Sequence, residues 1–115
     1  MQKTENIKAL CPVAITLESV GGKWKLIILW HLSKGTLRFG ELEKKIPGIT
    51  QKILTQHLRD MEKDKLINRK VYAVVPPKVE YSLTKHGKSL NTVLDSLSEW
   101  GEKHRSKVFS QTTTS

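Results

Sequence analysis

The clearest pattern of apolar and polar positions lies between residues 46 and 66. Pro47-Gly48 predicts a turn, and Thr50 follows where a hydroxyl can cap the free backbone N–H groups of a helix. Apolar residues then recur at spacings of three and four, which predicts one buried stripe: Ile53, Leu54, Leu58 and Met61. The opposite side presents polar side chains that can meet base edges and phosphates, namely Gln51, Lys52, Thr55, Gln56 and Arg59.

A second amphipathic segment precedes this helix, and two β-type segments follow it. Phe39, Leu42 and Ile46 repeat at three and four residues and predict a first helix, joined to the second across the Pro-Gly turn. Residues 67–75 are rich in β-branched side chains, and residues 79–83 alternate apolar with polar as a half-buried strand does. The two prolines between these strands predict a hairpin tip. The order is helix-turn-helix followed by a wing.

Three further helices are predicted around this unit. Residues 12–20 begin with Pro12, which suits a first helical position, and end at Gly21-Gly22. Residues 23–33 are apolar nearly all round, which is typical of a central buried helix, and residues 34–37 are interpreted as a loop. Thr84 caps the last helix, whose apolar stripe is longer than the core needs. The remainder is predicted to face a partner chain, from the set Leu90, Val93, Leu94, Leu97 and Trp100.

Length and composition bound the fold class. A chain of 115 residues makes one domain, and its hydrophobic fraction of 37% favours burial of extra surface in a dimer. We predict a mainly α protein with a small two-stranded antiparallel β-wing. Its domains are a flexible N-terminal arm (1–10), a winged helix-turn-helix with dimerisation helices (11–108) and a disordered tail (109–115).

The charge points to the partner. Twenty Lys and Arg against 11 Asp and Glu give a net charge of +9, which indicates a polyanion. Nucleic acid is favoured over membrane, because no apolar run approaches the length of a spanning helix. The N-terminus is polar and lacks the features of a secretory signal, so a cytoplasmic location is expected.

Enzymatic chemistry is not indicated. The sequence has no Gly-rich phosphate loop and no elbow motif around its serines, and the four histidines stand in no metal-ligand spacing with the single cysteine. We therefore expect no catalytic residues, no metal and no cofactor.

Three segments together resemble one family of regulators. GGKWKLIILWHL, LRFGELEKKIPGITQKILTQHLRDMEKDKLI and VYAVVPPKVEYSLTKHG follow one another as in HxlR-type winged-helix transcriptional regulators, which look like relatives of the MarR group. The resemblance covers roughly residues 11–100. It implies a homodimer built by the N- and C-terminal helices, one recognition helix in each of two major grooves, and repression of a target gene.

The predicted DNA contacts combine this pattern with the charge. Gln56 can read adenine bidentately, and Arg59 or Lys52 can read guanine or hold phosphate. A dimer with two-fold symmetry predicts a pseudo-palindromic duplex operator. The groove-facing set is Thr50, Gln51, Lys52, Thr55, Gln56 and Arg59. The phosphate set is Lys23, Lys25, Arg38, Arg69, Lys70 and Lys78.

Cys11 is a candidate redox sensor. It immediately precedes Pro12 at the start of the first helix, where unpaired N–H groups and the helix dipole favour a thiolate. Several HxlR-type regulators that sense quinones, aldehydes or disulfide stress are similar in having a cysteine at this position. The hypothesis is a switch driven by an oxidant or electrophile. The alternative is a small residue that merely starts a helix.

Two other functions stay open from the sequence. One is a winged-helix module that binds RNA, protein or DNA without sequence preference. The other is a regulator switched by a small aromatic ligand held between the dimer helices and the DNA-binding lobe.

Overall fold

A computed structural model of the protein describes residues 11–114, with side chains described as far as residue 109. The predicted arm, residues 1–10, lies outside the described residues. The elements in chain order are α1 (Pro12–Val20), α2 (Lys25–Leu32), β1 (Leu37–Arg38), α3 (Phe39–Lys45), α4 (Gln51–Lys63), β2 (Ile67–Tyr72), β3 (Lys78–Leu83), α5 (Lys85–Lys88) and α6 (Asn91–Thr114). The predicted fold class, a mainly helical protein with a β-wing, is confirmed.

The wing belongs to a three-stranded antiparallel sheet with the order β1-β3-β2. Strands β2 and β3 pair from Ile67 opposite Leu83 to Tyr72 opposite Lys78, as the sequence predicted. Periodicity does not predict the third strand, and residue 37 falls in a predicted loop. Leu37 pairs with Tyr81 on the other edge of β3. A strand of two residues has no periodicity of its own, and it forms because β3 offers an unpaired edge.

The core lies between α2, α4 and the sheet. Ile28 and Leu29 of α2 are completely buried, and so are Leu54 and Met61 of α4. Helix α2 also packs Leu26, Ile27 and Trp30 partly against this core, which confirms its central position. Its regular turns begin at Lys25, two residues later than predicted, after Gly22 adopts a φ of +84°.

The predicted last helix is divided. The Thr84 hydroxyl accepts a hydrogen bond from the Gly87 N–H at 2.9 Å, so it caps the four-residue α5 and not the long helix. A Cβ at Gly87 would lie 2.1 Å from the Leu66 carbonyl oxygen, so this turn is pressed against the start of the sheet. Helix α6 begins only at Asn91 and packs on α2.

The C-terminus also differs from the prediction. Helix α6 is described as far as Thr114, whereas composition predicted a disordered tail over 109–115. Extending a helix that already exists requires no new nucleation, so polar residues at its end can continue it.

Candidate nucleic-acid interface

Helix α4 is positioned by a tight turn and a buried back. Gly48 takes a φ of +91°, and the flanking Ile46 and Ile49 are buried. The Thr50 hydroxyl accepts a hydrogen bond from the Ile53 N–H at 3.1 Å, which confirms the predicted N-cap. Leu54 and Leu58 then anchor the helix in the core. The polar face opposite them is left at the surface.

The residues predicted for the major groove lie together on that face. Gln51, Lys52, Gln56 and Arg59 are exposed, and Thr55 between them is half-buried. Their positions recur at the three- and four-residue spacings that place helical side chains on one side. The arrangement presents two amides and two cations in one row, whereas the Thr50 oxygen is already engaged as the cap.

Gln56 is held by a neighbour that sequence reasoning missed. Its Nε2 donates to Asp60 Oδ1 at 2.9 Å, one helical turn further on. The other oxygen of Asp60, Oδ2, lies 3.7 Å from Lys25 Nζ of α2. The i, i+4 spacing of Gln56 and Asp60 was the available signal for this pair.

Lys25 was predicted to bind phosphate, whereas in the structure its ammonium group contacts other parts of the protein. Its side chain is 15% exposed and turned toward Asp60. Its Nζ also lies 3.5 Å from the Ser19 carbonyl oxygen, near the end of α1. Lys25 therefore links α1, α2 and α4. The reason is tertiary: the packing of α2 against α4 brings a carboxylate within its reach.

The other cations predicted before α4 are exposed. Lys23 extends over the Trp24 ring, with Nζ 4.5 Å from the ring centroid. Arg38 precedes α3, and its backbone N–H donates to Glu41 Oε1 at 2.8 Å. Its guanidinium can only donate hydrogen bonds and takes no part in capping the helix. Both side chains remain at the surface.

The wing cations differ from one another. Arg69 and Lys70 of β2 are exposed, but Lys78 lies 3.8 Å from Glu80 Oε2 and 4.4 Å from the centroid of the Tyr72 ring. The Tyr72 hydroxyl donates to the other Glu80 oxygen at 2.9 Å. Lys78 is thus partly neutralised within the hairpin.

A polar recess joins the wing to α4. Arg59 from α4 and Arg69 from β2 line the same hollow of about 410 Å³, together with Phe39, Thr55, Leu58, Glu62 and Tyr81. Two guanidiniums from separate elements are suited to one phosphate or to successive phosphates of a strand. The sequence did not predict that these arginines line the same recess.

The apolar stripe of α6 divides between two environments. Leu94 is 2% exposed and belongs to the core, and Leu90 packs partly against it. Leu94 is therefore not available as the predicted interface contact, because it lies against α2 in the core. Val93, Leu97 and Trp100 are 43%, 49% and 66% exposed. These three form the exposed part of the predicted stripe.

Cys11 lies at the surface as the N-cap residue of α1. Its carbonyl oxygen accepts from the Ile15 N–H at 3.0 Å, so the thiol sits at the beginning of a regular helix. On the same helix, Val13 and Leu17 are 68% and 55% exposed.

Two histidines have perturbed pKa values. Burial lowers the pKa of His57, Lys25 lowers it further, and Asp60 partly opposes them. Within the described residues, its Nδ1 has no hydrogen-bond partner. Burial also lowers the pKa of His31, with a smaller contribution from Lys45. Both side chains therefore favour the neutral form.

Residues 11–114 contain no group of three or more His, Cys, Asp or Glu side chains that could hold a metal. No helix in that range has both the length and the apolar character of a membrane span.

Comparison with known proteins identifies the class. The HxlR-like helix-turn-helix family matches residues 19–109. YtcD of Bacillus subtilis (strain 168), an uncharacterized HTH-type transcriptional regulator, is 53% identical over 100 residues, which are 87% of this chain and 79% of that protein. The protein is therefore a transcriptional regulator with a DNA-binding winged helix-turn-helix, and not an enzyme. It belongs to the HxlR-like helix-turn-helix family.

Solved structures agree with this assignment. The redox regulator HypR in its reduced form has a TM-score of 0.80 and 46% identity, over 87% of this chain and 99% of that one. The reduced transcriptional regulator YodB of B. subtilis has a TM-score of 0.70 and 32% identity, over 82% and 93%.

Proposed function

We propose that this regulator binds a pseudo-palindromic duplex operator as a homodimer in the cytoplasm and represses the gene beside it. The observation that carries the proposal is the exposed polar face of α4, together with the recess that Arg59 of this helix and Arg69 of the wing both line. A helix with an apolar back and a row of amides and cations fits the major groove. The paired arginines fit the adjacent backbone.

The contacts divide into two classes in this proposal. Gln51, Lys52, Thr55 and Gln56 meet base edges, because they project from the middle of the exposed face. Exposed cations around that face neutralise phosphates and release counterions, which gives affinity and a strong salt dependence. The phosphate class is Lys23, Arg38, Arg59, Arg69 and Lys70, with a smaller contribution from Lys78.

The homodimer is supported by exposed apolar side chains on two helices. Val13 and Leu17 of α1 and Val93, Leu97 and Trp100 of α6 are each more than two-fifths exposed. Val93, Leu97 and Trp100 follow one another at helical spacing, and an exposed apolar face of this kind is typical of an interaction surface. A two-fold axis through α6 would present two copies of α4 to half-sites about one helical turn apart, or a multiple of it.

Regulation through Cys11 is the finer part of the proposal. The thiol is exposed at the start of a helix that carries part of the apolar surface, and HypR is described as a redox regulator. The chain has one cysteine, so an oxidant such as diamide can join it only to a thiol of another molecule. Two thiols form one S–S bond, and their two electrons and two protons reduce the azo group to a hydrazine. Such a bond near the dimer surface would alter the spacing of the two α4 helices.

The test is selection from a randomised duplex library, with and without diamide, for the wild type and Cys11→Ser. We expect a pseudo-palindromic motif that disappears with diamide for the wild type and persists for Cys11→Ser. Persistence in both would refute the thiol switch and leave the operator function intact. Equal salt-dependent binding to duplex DNA, double-stranded RNA and single strands, with no motif, would favour a module without sequence preference.

A second class of effector is supported by a separate feature. An apolar groove of about 210 Å³ lies between α2 and α6, lined by Leu26, Ile27, Trp30, Leu94, Leu97 and Ser98. Its apolar lining and its indole suit a small aromatic ligand. This effector class would be established if such a ligand released the operator from the wild type without any oxidant. The Trp30→Ala variant should then keep its operator bound when the ligand is added.

A further inference from the structure

Three side chains, Gln56, Asp60 and Lys25, are linked in a row that begins on the exposed face of α4 and ends on α2. Asp60 uses its two carboxylate oxygens for different partners. Oδ1 accepts from Gln56 Nε2 at 2.9 Å, and Oδ2 lies 3.7 Å from Lys25 Nζ. Both contacts therefore form at once, and they connect the middle of the exposed face of α4 to a lysine on α2.

The chemistry fixes the orientation of the Gln56 amide. A carboxylate accepts hydrogen bonds and repels the amide oxygen, so the nitrogen of Gln56 must face Asp60. One of its two N–H groups is then occupied. The other N–H and the Oε1 acceptor remain for a base edge.

We infer that Asp60 is a positioning residue that makes Gln56 select adenine over guanine, an inference that rests on the proposed operator function. Adenine presents an acceptor, N7, beside a donor, the N6 amino group, which matches one free N–H and one oxygen. Guanine presents two acceptors, N7 and O6, and so requires two donors. Because Asp60 occupies one N–H, Gln56 cannot supply both donors, and its oxygen would face O6.

Lys25 completes the arrangement by anchoring Asp60. Its side chain is only 15% exposed, whereas that of Asp60 is 40% exposed, so Lys25 approaches the carboxylate from the protein side. The Lys25 Nζ also reaches the Ser19 carbonyl at 3.5 Å. A carboxylate beside DNA would repel phosphates unless a cation balanced it, and Lys25 supplies that cation from the protein side.

The experiment measures base preference at each operator position by library selection with the full-length protein. Gln56→Ala first identifies the position that Gln56 reads. We expect the wild type to prefer adenine over guanine there by roughly 5- to 100-fold, the range of a good bidentate contact. Asp60→Asn should reduce that ratio several-fold at the same position only, because an asparagine can donate or accept and no longer fixes the amide.

A matched control separates positioning from charge. Asp64→Asn removes one carboxylate from the end of the same helix, one turn beyond Asp60, and should leave the ratio unchanged. Thermal unfolding of each variant checks that it is folded. If Asp60→Asn does not fold, Asp60→Ala provides a second variant.

The outcomes are distinguishable. If Gln56→Ala relaxes a position and both Asp60 variants leave its ratio unchanged, the inference is wrong and the operator function stands. If Asp64→Asn lowered the adenine preference at that position as much as Asp60→Asn does, the effect would come from net charge. That result would also overturn the inference. A wild-type motif in which Gln56→Ala relaxes no position overturns the inference alone. The absence of any wild-type motif overturns both.

Discussion

Lys25 Nζ lies 3.7 Å from Asp60 Oδ2, so the lysine at the start of α2 forms an ion pair with α4. This contact changes what a mutation at Lys25 should do. A lysine that touched phosphate would contribute the same affinity whatever stood at residue 60. A lysine that balances Asp60 contributes only while that carboxylate is present.

The first prediction is a double-mutant cycle on operator affinity. Lys25→Gln should weaken binding several-fold at low salt, because Asp60 then repels phosphates without compensation. In the Asp60→Asn background, Lys25→Gln should have little further effect. Lys52→Gln is the control and should cost the same in both backgrounds. An equal loss from Lys25→Gln in both backgrounds would show that Lys25 contacts DNA directly.

The second prediction separates the wing cations. Arg69→Gln should weaken all sequences alike and lower the slope of log affinity against log salt by about one, the effect of one lost phosphate contact. Lys78→Gln should change that slope much less, because Glu80 and the Tyr72 ring already engage its ammonium group. Fluorescence anisotropy at several salt concentrations measures both. Equal slopes for the two variants would contradict the assignment of Lys78.

The third prediction concerns the divided stripe of α6. Leu97→Asp should convert the dimer to a monomer, because a charge would then be buried in the proposed interface, and light scattering gives the mass. Ser106→Asp adds the same charge on the opposite side of the helix and should leave the mass unchanged. Leu94→Ala should instead lower the free energy of unfolding by about 2–5 kcal/mol, as a core truncation does. If the Leu97→Asp variant still had the mass of a dimer, the proposed interface on α6 would be refuted.

The fourth prediction is a pH dependence of stability. Folding lowers the pKa of His57 and His31 from their ordinary value of 6.5. As pH falls below that value the unfolded chain binds protons first, so the free energy of unfolding decreases. The stabilisation is complete above the unfolded pKa and is lost as pH falls through the folded pKa.

Urea unfolding at about pH 7.5 and about pH 5.5 measures this decrease. The double variant His31→Gln/His57→Gln should show a smaller decrease than the wild type. A wild-type decrease that the double variant retains in full would assign the pH dependence to other groups.

Local patterns were sufficient for the elements that carry strong periodicity. The stripe containing Leu54, Leu58 and Met61 predicted α4, and the hydroxyl of Thr50 predicted its start. Strand β1 and the separation of α5 from α6 were missed. Both depend on partners distant in sequence: β1 on the open edge of β3, and α5 on the Leu66 carbonyl that Gly87 approaches.

For the candidate site, the sequence likewise predicted the features that depend on local spacing and missed those that depend on distant contacts. Gln51, Lys52, Gln56 and Arg59 could be assigned to one exposed face, because helical spacing alone decides which side chains share a side. Lys25 was assigned to phosphate without any sign of its contact with Asp60, and Asp60 was not considered. Their roles depend on the contact between α2 and α4, which has no local sequence signature.

The sequence by itself determined the class of protein: the order helix-turn-helix and wing, the basic charge and the exposed polar face of α4 all follow from periodicity and composition. Only the tertiary structure decided how individual side chains are used. It turned Lys25 toward Asp60, brought Arg59 and Arg69 to one recess, and assigned Leu94 to the core but Leu97 to the surface. The physical reason is that periodicity fixes which face of its own helix a side chain occupies. The partners it meets are fixed by the packing of that helix against elements far away in the chain.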